Sequence, residues 1–408
     1  MKALIAALSV KREAWDRVKS RILRRGHHVH GITIEPAELR EPALVSPQWV
    51  KVRSIISGIS DVDEGMILYQ NAAPLGGFTS FPFVPGNENV GIVTEIGRDV
   101  EDVELGQRVV VDPLLACAQR QVDPPCPLCS RGEPHCCRNF DKGVVGPGMM
   151  IGACADTGGG WGDSFIAHRS QLHRLPNSIE TERAVLAPEL ARAVRVVLQH
   201  PPSPGDHVII MGSGSLGLLV VLVFEMLGYE VNLLVVAEHP FEVDIARRVT
   251  GASVVLADGS GTVYEEVAEF VGGSVRYPRI GPTTLEGGAD LVYETTGRRD
   301  FVEDGLRFSG EGKRFVLVGM KQARALDLVS VWLKGVKILG PGWSKREFFD
   351  GTMTDVMDVA LALMERHSLP IGDLVTHRFT LAQYHQAFST LENRSATRAM
   401  KAIFHHVV

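Results

Sequence analysis

The chain has 408 residues, enough for two or three domains, with 42 basic against 48 acidic side chains and a formal charge of −6. Hydrophobic residues at 45% and charged residues at 22% are ordinary globular proportions, which excludes general disorder. A mildly acidic balance offers no general attraction to nucleic acid or anionic membrane, so neither is expected as a partner. Met1–Val10 is apolar after Lys2 but runs straight into Lys11-Arg12-Glu13 without a small-residue cleavage site, and reads as a first strand. The basic stretch Lys11–Arg25, interleaved with Ala14, Trp15, Val18, Ile22 and Leu23, reads as the solvated face of an amphipathic element.

Short β-like runs follow at Trp49–Ile56, Val90–Ile96 and Arg108–Val111, punctuated by Pro74-Leu75-Gly76-Gly77 and Pro85-Gly86-Asn87. Such punctuation predicts a compact β-rich unit. After Pro201-Pro202-Ser203-Pro204-Gly205 the pattern changes to alternating strands and helices. Strands are expected at Val208–Met211, Val231–Val236, Asp290–Tyr293, Phe315–Val318 and Val336–Leu339, and helices at Ser215–Leu227 and Pro240–Val249. Alternation of this kind gives an α/β fold with a doubly wound parallel sheet. The tail holds a helix at Asp355–Arg366 and then short strands. The central apolar run Leu216–Phe224 is far short of the ~20 residues of a membrane span, and a soluble, cytoplasmic protein is expected.

Six cysteines cluster at 117, 126, 129, 136, 137 and 154. In a long chain without a secretion signal, clustering favours metal over disulfides. Cys126-Pro127-Leu128-Cys129 is a metal knuckle, since cysteines three apart turn both sulfurs toward one ion. Cys137 is a third ligand, and the fourth is either Cys117 or Asp123. Both choices fill the tetrahedron, so the expectation is one structural zinc.

Gly212-Ser213-Gly214-Ser215-Leu216-Gly217 follows an apolar strand and opens an apolar helix, the context in which G-x-G-x-x-G acquires meaning. Gly212 permits the tight turn, Gly214 lets backbone approach a pyrophosphate, and Gly217 lets helix and sheet pack closely. The helix N-terminus then presents N–H groups to the phosphates of NAD or NADP. Glu238 follows the second strand, somewhat farther from Gly212 than the roughly 20 residues usual for the acid that binds a ribose 2′-hydroxyl. Its sign favours NAD over NADP. Thr296 and Gly319, at the ends of later strands, complete the candidate cofactor set.

The order of these features resembles the zinc-type alcohol dehydrogenases of the medium-chain dehydrogenase/reductase superfamily. Further matching pieces are Pro85-Gly86-Asn87-Glu88-Asn89-Val90-Gly91, Leu175-Pro176, Asp290–Gly297 and Val316-Leu317-Val318-Gly319. The resemblance implies a GroES-like catalytic domain at 1–190 with a zinc lobe near 113–140, a Rossmann domain at 191–342, and a return to the catalytic domain at 343–408. It implies a nicotinamide dinucleotide in the cleft between domains, a small-molecule substrate, and a homodimer or homotetramer, with the edge strand Val336–Leu339 available for pairing across subunits. The family's C-x2-C-x2-C-x7-C lobe lays Asp123, Cys126, Cys129 and Cys137 on its four positions, whereas thiolate chemistry favours Cys117. Both stay open.

The family's catalytic zinc has three protein ligands. At the corresponding positions this chain carries Ser60, Asn87 and Ala187, and Val62 stands in place of the proton-relay hydroxyl. A hydroxyl, an amide and a methyl make a poor zinc site, so loss of that metal is expected, the competing reading being an oxygen site rebuilt from Asp63, Glu88 and Glu189. Ser60, Asp63, Asn87, Glu88 and Tyr69 are then the candidate polar groups of the site, with Ser60 or Asn87 hydrogen-bonding a developing oxyanion. The expected function is hydride transfer between NAD(P)(H) and a small organic substrate carrying its own electron sink, such as an activated C=C, C=N or C=O. The alternatives are a conventional zinc alcohol or polyol dehydrogenase with displaced ligands, and a dinucleotide-binding protein without redox turnover.

Overall fold

Strand β3 (Trp49–Gly58) is largely buried on both faces and organises the larger of two principal sheets. The computed structural model describes residues 1–8, 32–65, 78–259, 261–320, 325–342, 344–368 and 370–406; the basic stretch 11–25 and Tyr69 lie outside them. A hairpin of β1 (Lys2–Leu8) and β2 (Ile32–Glu38) comes first. On one side β3 pairs with β4 (Asn89–Ile96), which carries β5 (Arg108–Val111) and then β7 (Leu172–Arg174). Strand β6 (Ser164–His168) also pairs with β3. On the other side β3 pairs with β19 (Lys401–His405), which carries β18 (Val375–Thr380). The tail thus completes a sheet begun by the first third of the chain.

The second sheet has six parallel strands in the order β10-β9-β8-β13-β14-β15. These are β8 (His207–Met211), β9 (Asn232–Ala237), β10 (Ser253–Leu256), β13 (Ala289–Glu294), β14 (Ser309–Leu317) and β15 (Lys337–Leu339). A small hairpin, β11 (Ser274–Arg276) with β12 (Thr284–Glu286), interrupts the series. The order reverses at β8, and in open parallel sheets the ligand crevice lies at the carboxyl ends of the strands beside such a switch.

Helix α1 (Ala187–Gln199) packs against α2 (Ser215–Met226), and its apolar face joins a core that includes Ile56 and Val90 of the first sheet and Ile210 and Tyr293 of the second. It is the beam between the two sheets. Every residue of α2 from Leu216 to Phe224 is buried, which explains an apolar run without a polar face: the helix is core. Among the described residues no helix is long and apolar enough to cross a membrane. The second sheet is flanked further by α3 (Pro240–Val249), α4 (Val263–Val271), α5 (Arg299–Phe308) and the short α6 (Val329–Lys334). The tail adds a hairpin of β16 (Arg346–Phe349) and β17 (Thr352–Asp355), then α7 (Val356–Arg366) and α8 (Tyr384–Glu392).

Sequence patterning located the expected strands and helices to within a few residues, except that β14 begins at Ser309, six residues before Phe315. Its first half, Ser309-Gly310-Glu311-Gly312-Lys313-Arg314, is polar and glycine-rich and carries no strand signal, and the register with β13 shifts across it. The hairpins β11–β12 and β16–β17 were not legible because their strands are only three or four residues long and little buried, too short for alternation to mark a face.

Candidate active site and cysteine cluster

A cleft opens between the two sheets. One wall is the loop from Ile59 to Gly65, the other is the carboxyl end of the parallel sheet with Gly212–Gly217, Glu238 and Thr296, and Lys401 and Arg394 come from the tail. Gly212 adopts φ +105°, a left-handed conformation that favours glycine, and a Cβ there would collide with the Thr296 side chain. A Cβ at Gly217 would collide with the Gly212 carbonyl, so this glycine is the price of close helix–strand packing. At Gly214 the situation is opposite. No protein atom lies within 4 Å of where its Cβ would be. Gly214 is also the N-cap of α2 and supplies no side-chain acceptor, so the first N–H groups of this long helix face open space. That is a cradle shaped for an anion, and it fits a dinucleotide pyrophosphate.

Supporting contacts hold the cradle. Buried Glu242 accepts from the Ser213 hydroxyl at 2.7 Å and from the backbone N–H groups of Glu238 and His239 at 3.0 and 3.2 Å. Ser213 is therefore engaged with the protein. Glu238 lies at the end of β9, where a ribose acid belongs, but its carboxylate is paired with the Arg298 guanidinium and lies 3.4 Å from His239 Nε2. Gly319 does not line the cleft. Its role is packing, since a Cβ there would strike the backbone of Gly297.

Ser60 and Asn87, which the resemblance lays on two zinc-ligand positions, do converge. Asn87 Nδ2 donates to Ser60 Oγ at 2.8 Å, and Ser60 Oγ donates to Asp63 Oδ2 at 2.8 Å while accepting from the Asp63 backbone N–H at 3.0 Å. This is a capping box on the short helix Asp61–Asp63, and Asp63 accepts further from the Gly86 N–H at 3.3 Å. Burial nevertheless pushes the Asp63 carboxyl up to about 6, the hydrogen bonds from Ser60 and Gly86 pulling the other way. Ala187, the third position, starts α1 and offers only a methyl. The Ser60 hydroxyl and one Asn87 N–H are engaged inside this box, and Ser60, Asp63, Asn87 and Glu88 are all buried and outside the described cleft lining.

Nor do Asp63, Glu88 and Glu189 gather as an oxygen site. Glu88 and Glu189 grip the buried ammonium of Lys401, at 2.9 Å from Glu88 Oε1, 2.7 Å from Glu88 Oε2 and 3.1 Å from Glu189 Oε2. Burial pushes the Glu88 carboxyl up to about 8 against the pull of Lys401. Burial alone would lower Lys401, but Glu189 and Glu88 hold it well above the usual lysine range. Glu189 Oε1 accepts from the Ser215 hydroxyl at 2.7 Å, linking the ammonium to the first turn of α2. Arg192, one turn along α1, pairs with Asp61 at 3.0 Å and donates to the Val318 carbonyl. The hydroxyl, amide and methyl at these positions are a poor donor set for zinc, Ser60 and Asn87 being hydrogen-bonded to each other and Ser60 to Asp63, while Glu88 and Glu189 face a lysine.

The cysteines give the opposite result. The sulfurs of Cys117, Cys126, Cys129 and Cys137 all lie within 4.8 Å of one another. Backbone N–H groups of Cys126, Arg138 and Asn139 point at the sulfurs of Cys117, Cys126 and Cys137 at 3.3–3.5 Å, and Asn139 Nδ2 points at Cys117 at 3.3 Å. Four thiols with such donors fit a tetrahedral zinc whose thiolate charge needs dispersal. Asp123 is corrected: a turn closed by Val122 N–H to the Cys117 carbonyl directs Cys117 inward and leaves Asp123 exposed. No motif or spacing pointed to Arg120, fully buried in this lobe, whose guanidinium donates to the carbonyls of Leu115, Lys142, Val145, Gly146 and Gly148.

Two family models match in succession, the alcohol dehydrogenase GroES-like domain over residues 46–177 and the zinc-binding dehydrogenase over residues 215–360. The chain belongs to the alcohol dehydrogenase-like family of medium-chain dehydrogenases/reductases. This family member is an NAD(P)-dependent oxidoreductase with a glycine cradle for the dinucleotide and a cysteine lobe for zinc. It is similar to the 2-dehydro-3-deoxy-L-galactonate 5-dehydrogenase of Pseudoalteromonas atlantica, 25% identical over 360 residues, or 88% of this chain and 92% of that one. Among solved structures it shares its fold with the NADH complex of the alcohol dehydrogenase rspB from Escherichia coli CFT073 (TM-score 0.73, 19% identity, covering 100% and 99%). It also shares it with an NADP-bound zinc-binding dehydrogenase from Sinorhizobium meliloti 1021 (TM-score 0.69, 21% identity, covering 99% and 100%).

Proposed function

We propose that this dehydrogenase works without a catalytic zinc, moving hydride between a nicotinamide dinucleotide and a small organic substrate that brings its own electron sink. The observation that carries the reading is the closed set Asn87–Ser60–Asp63, in which a hydroxyl and an amide stand at two of the ligand positions, hydrogen-bonded to each other and through Ser60 to Asp63, with no thiolate or imidazole among them. Zinc polarises a carbonyl or alcohol oxygen as a Lewis acid, and an isolated alcohol lacks that help here. An α,β-unsaturated carbonyl or a neutral imine needs orientation, hydride and a proton, and an iminium only orientation and hydride. The galactonate dehydrogenase relative supports a small, oxygen-bearing substrate. In this reading Cys117, Cys126, Cys129 and Cys137 hold one structural zinc, Gly212–Gly217 cradle the pyrophosphate, and the chain divides near residues 190 and 342.

Anomalous scattering at the zinc edge is expected to give one peak per subunit, within the four cysteines. A second peak beside Ser60 and Asn87 would overturn the reading in favour of a conventional zinc alcohol or polyol dehydrogenase.

We propose a preference for NAD(H), carried by the sign of Glu238. Replacing Glu238 by Gln is expected to weaken NADH by about tenfold, roughly 1.4 kcal/mol, while NADPH changes little or improves. Fluorescence titration checks this, and tighter NADPH binding by the wild type would reverse the assignment. We also propose a homodimer through the free edge of β15, next to which Trp332 is 84% exposed. Introducing charge at exposed Trp332 and on the outward strand, as in Trp332→Glu with Ile338→Glu, should then yield monomers by light scattering.

A further inference from the structure

Lys401 opens β19, a strand otherwise apolar through Phe404, and its side chain is 4% exposed. A buried charge is rarely kept unless paired, and here the pairing is lopsided. The ammonium faces Glu88 from the start of β4 and Glu189 from α1; Asp63 and Asp61 approach from the loop after β3, and Arg192 from α1. Four acids against two cations leave the cluster short of positive charge. Glu88, in direct contact with the ammonium, is the carboxyl that burial pushes up to about 8, which makes it the member of the cluster suited to pass a proton to Lys401. An ammonium carries three protons, of which Glu88 and Glu189 account for two. Lys401 and Glu189 line the cleft, whereas Glu88 lies behind them.

We propose that Lys401 is the proton donor of the reduction, delivering the proton to the substrate oxygen or equivalent electron sink, and that Glu88 refills it. The inference rests on the zinc-free reading above. In the step, hydride with its electron pair leaves C4 of the reduced nicotinamide and bonds to the electrophilic substrate carbon; the cofactor is oxidised and the substrate reduced. The displaced π pair collects on the substrate oxygen, which takes a proton from Lys401 Nζ. Glu88 passes its proton to the neutral amine and becomes a carboxylate, and solvent reprotonates it before the next turnover. A developing alkoxide or enolate is basic enough to take a proton from an ammonium held between Glu88 and Glu189, and it is also stabilised by the cation before transfer.

The decisive variant is Lys401→Arg, because a guanidinium keeps the charge and cannot be deprotonated. With cinnamaldehyde and 1-pyrroline as probes and NADH or NADPH as donor, kcat should fall roughly 10²–10⁴-fold, with dinucleotide affinity preserved within about threefold. Wild-type kcat for reduction should decline as pH rises through about 8, because the carboxylic acid form of Glu88 is lost, and Glu88→Gln should remove that limb. If Lys401→Arg does not fold, the charge-balanced pair Lys401→Gln with Glu189→Gln carries the same expectation. Undiminished kcat in a folded variant overturns the role, as does an affinity loss of about tenfold with kcat intact, which would make Lys401 a phosphate ligand. Two zincs per subunit would defeat the zinc-free reading instead, and a wild-type protein inert toward both probes would defeat the proposed function and this role together.

Discussion

Cys126→Ser is expected to empty the cysteine lobe of zinc and to lower Tm by roughly 10 °C, the loss of a structural metal being among the few single changes that cost about 4 kcal/mol or more. Cys126 caps the turn Pro127–Ser130 that also carries Cys129, and its own N–H points at Cys117. A serine hydroxyl preserves the shape but stays protonated where a thiolate is required. The lobe has little else to hold it. Its apolar core is small, built from Leu114, Ala116 and Phe140 together with three of the four cysteines, so removing the ion removes much of the reason for those side chains to meet. Arg120 still ties the surrounding loop through its carbonyl contacts, so loss of local order is expected before global unfolding. Metal analysis and calorimetry check the result, with Asp123→Asn as the control that should keep its zinc. Full zinc in Cys126→Ser, or none in the wild type, would contradict it.

The same lobe shows what sequence spacing carries and what it does not. The knuckle Cys126-x2-Cys129 was readable because a local turn fixes it. The choice between Cys117 and Asp123 was not, because it depends on which way a turn closes nine and three residues upstream. Helix α3 was legible because burial on one face dictates its residue types, and β3 and α2 because burial on all sides keeps them largely apolar. Lys401 was not. One charged residue at the start of an apolar strand looks like an edge position until β3 and β18 are known to flank it and Glu88 and Glu189 to meet it, contacts that span most of the chain. Ser60 and Asn87 were identified as ligand positions from the resemblance, but their use of each other as hydrogen-bond partners is a tertiary fact.

Gly214→Val should abolish measurable dinucleotide binding, a loss of at least about 100-fold or roughly 2.7 kcal/mol, while leaving the fold intact. The reasoning turns on where the new atoms go. A Cβ at Gly214 meets no protein atom within 4 Å, and its φ is −62°, so valine strains neither packing nor backbone. The added methyls occupy only the space in front of the α2 N-terminus, where the pyrophosphate must approach the backbone N–H groups. Gly217→Val makes the contrast, because its Cβ would run into the Gly212 carbonyl, a backbone atom that cannot swing aside. That variant should lose stability as well as binding. Titration with NADH alongside thermal unfolding separates the two outcomes. A folded Gly214→Val protein that binds NADH and NADPH as the wild type does would remove the cofactor from this cradle and would require the dinucleotide to be placed elsewhere along the cleft.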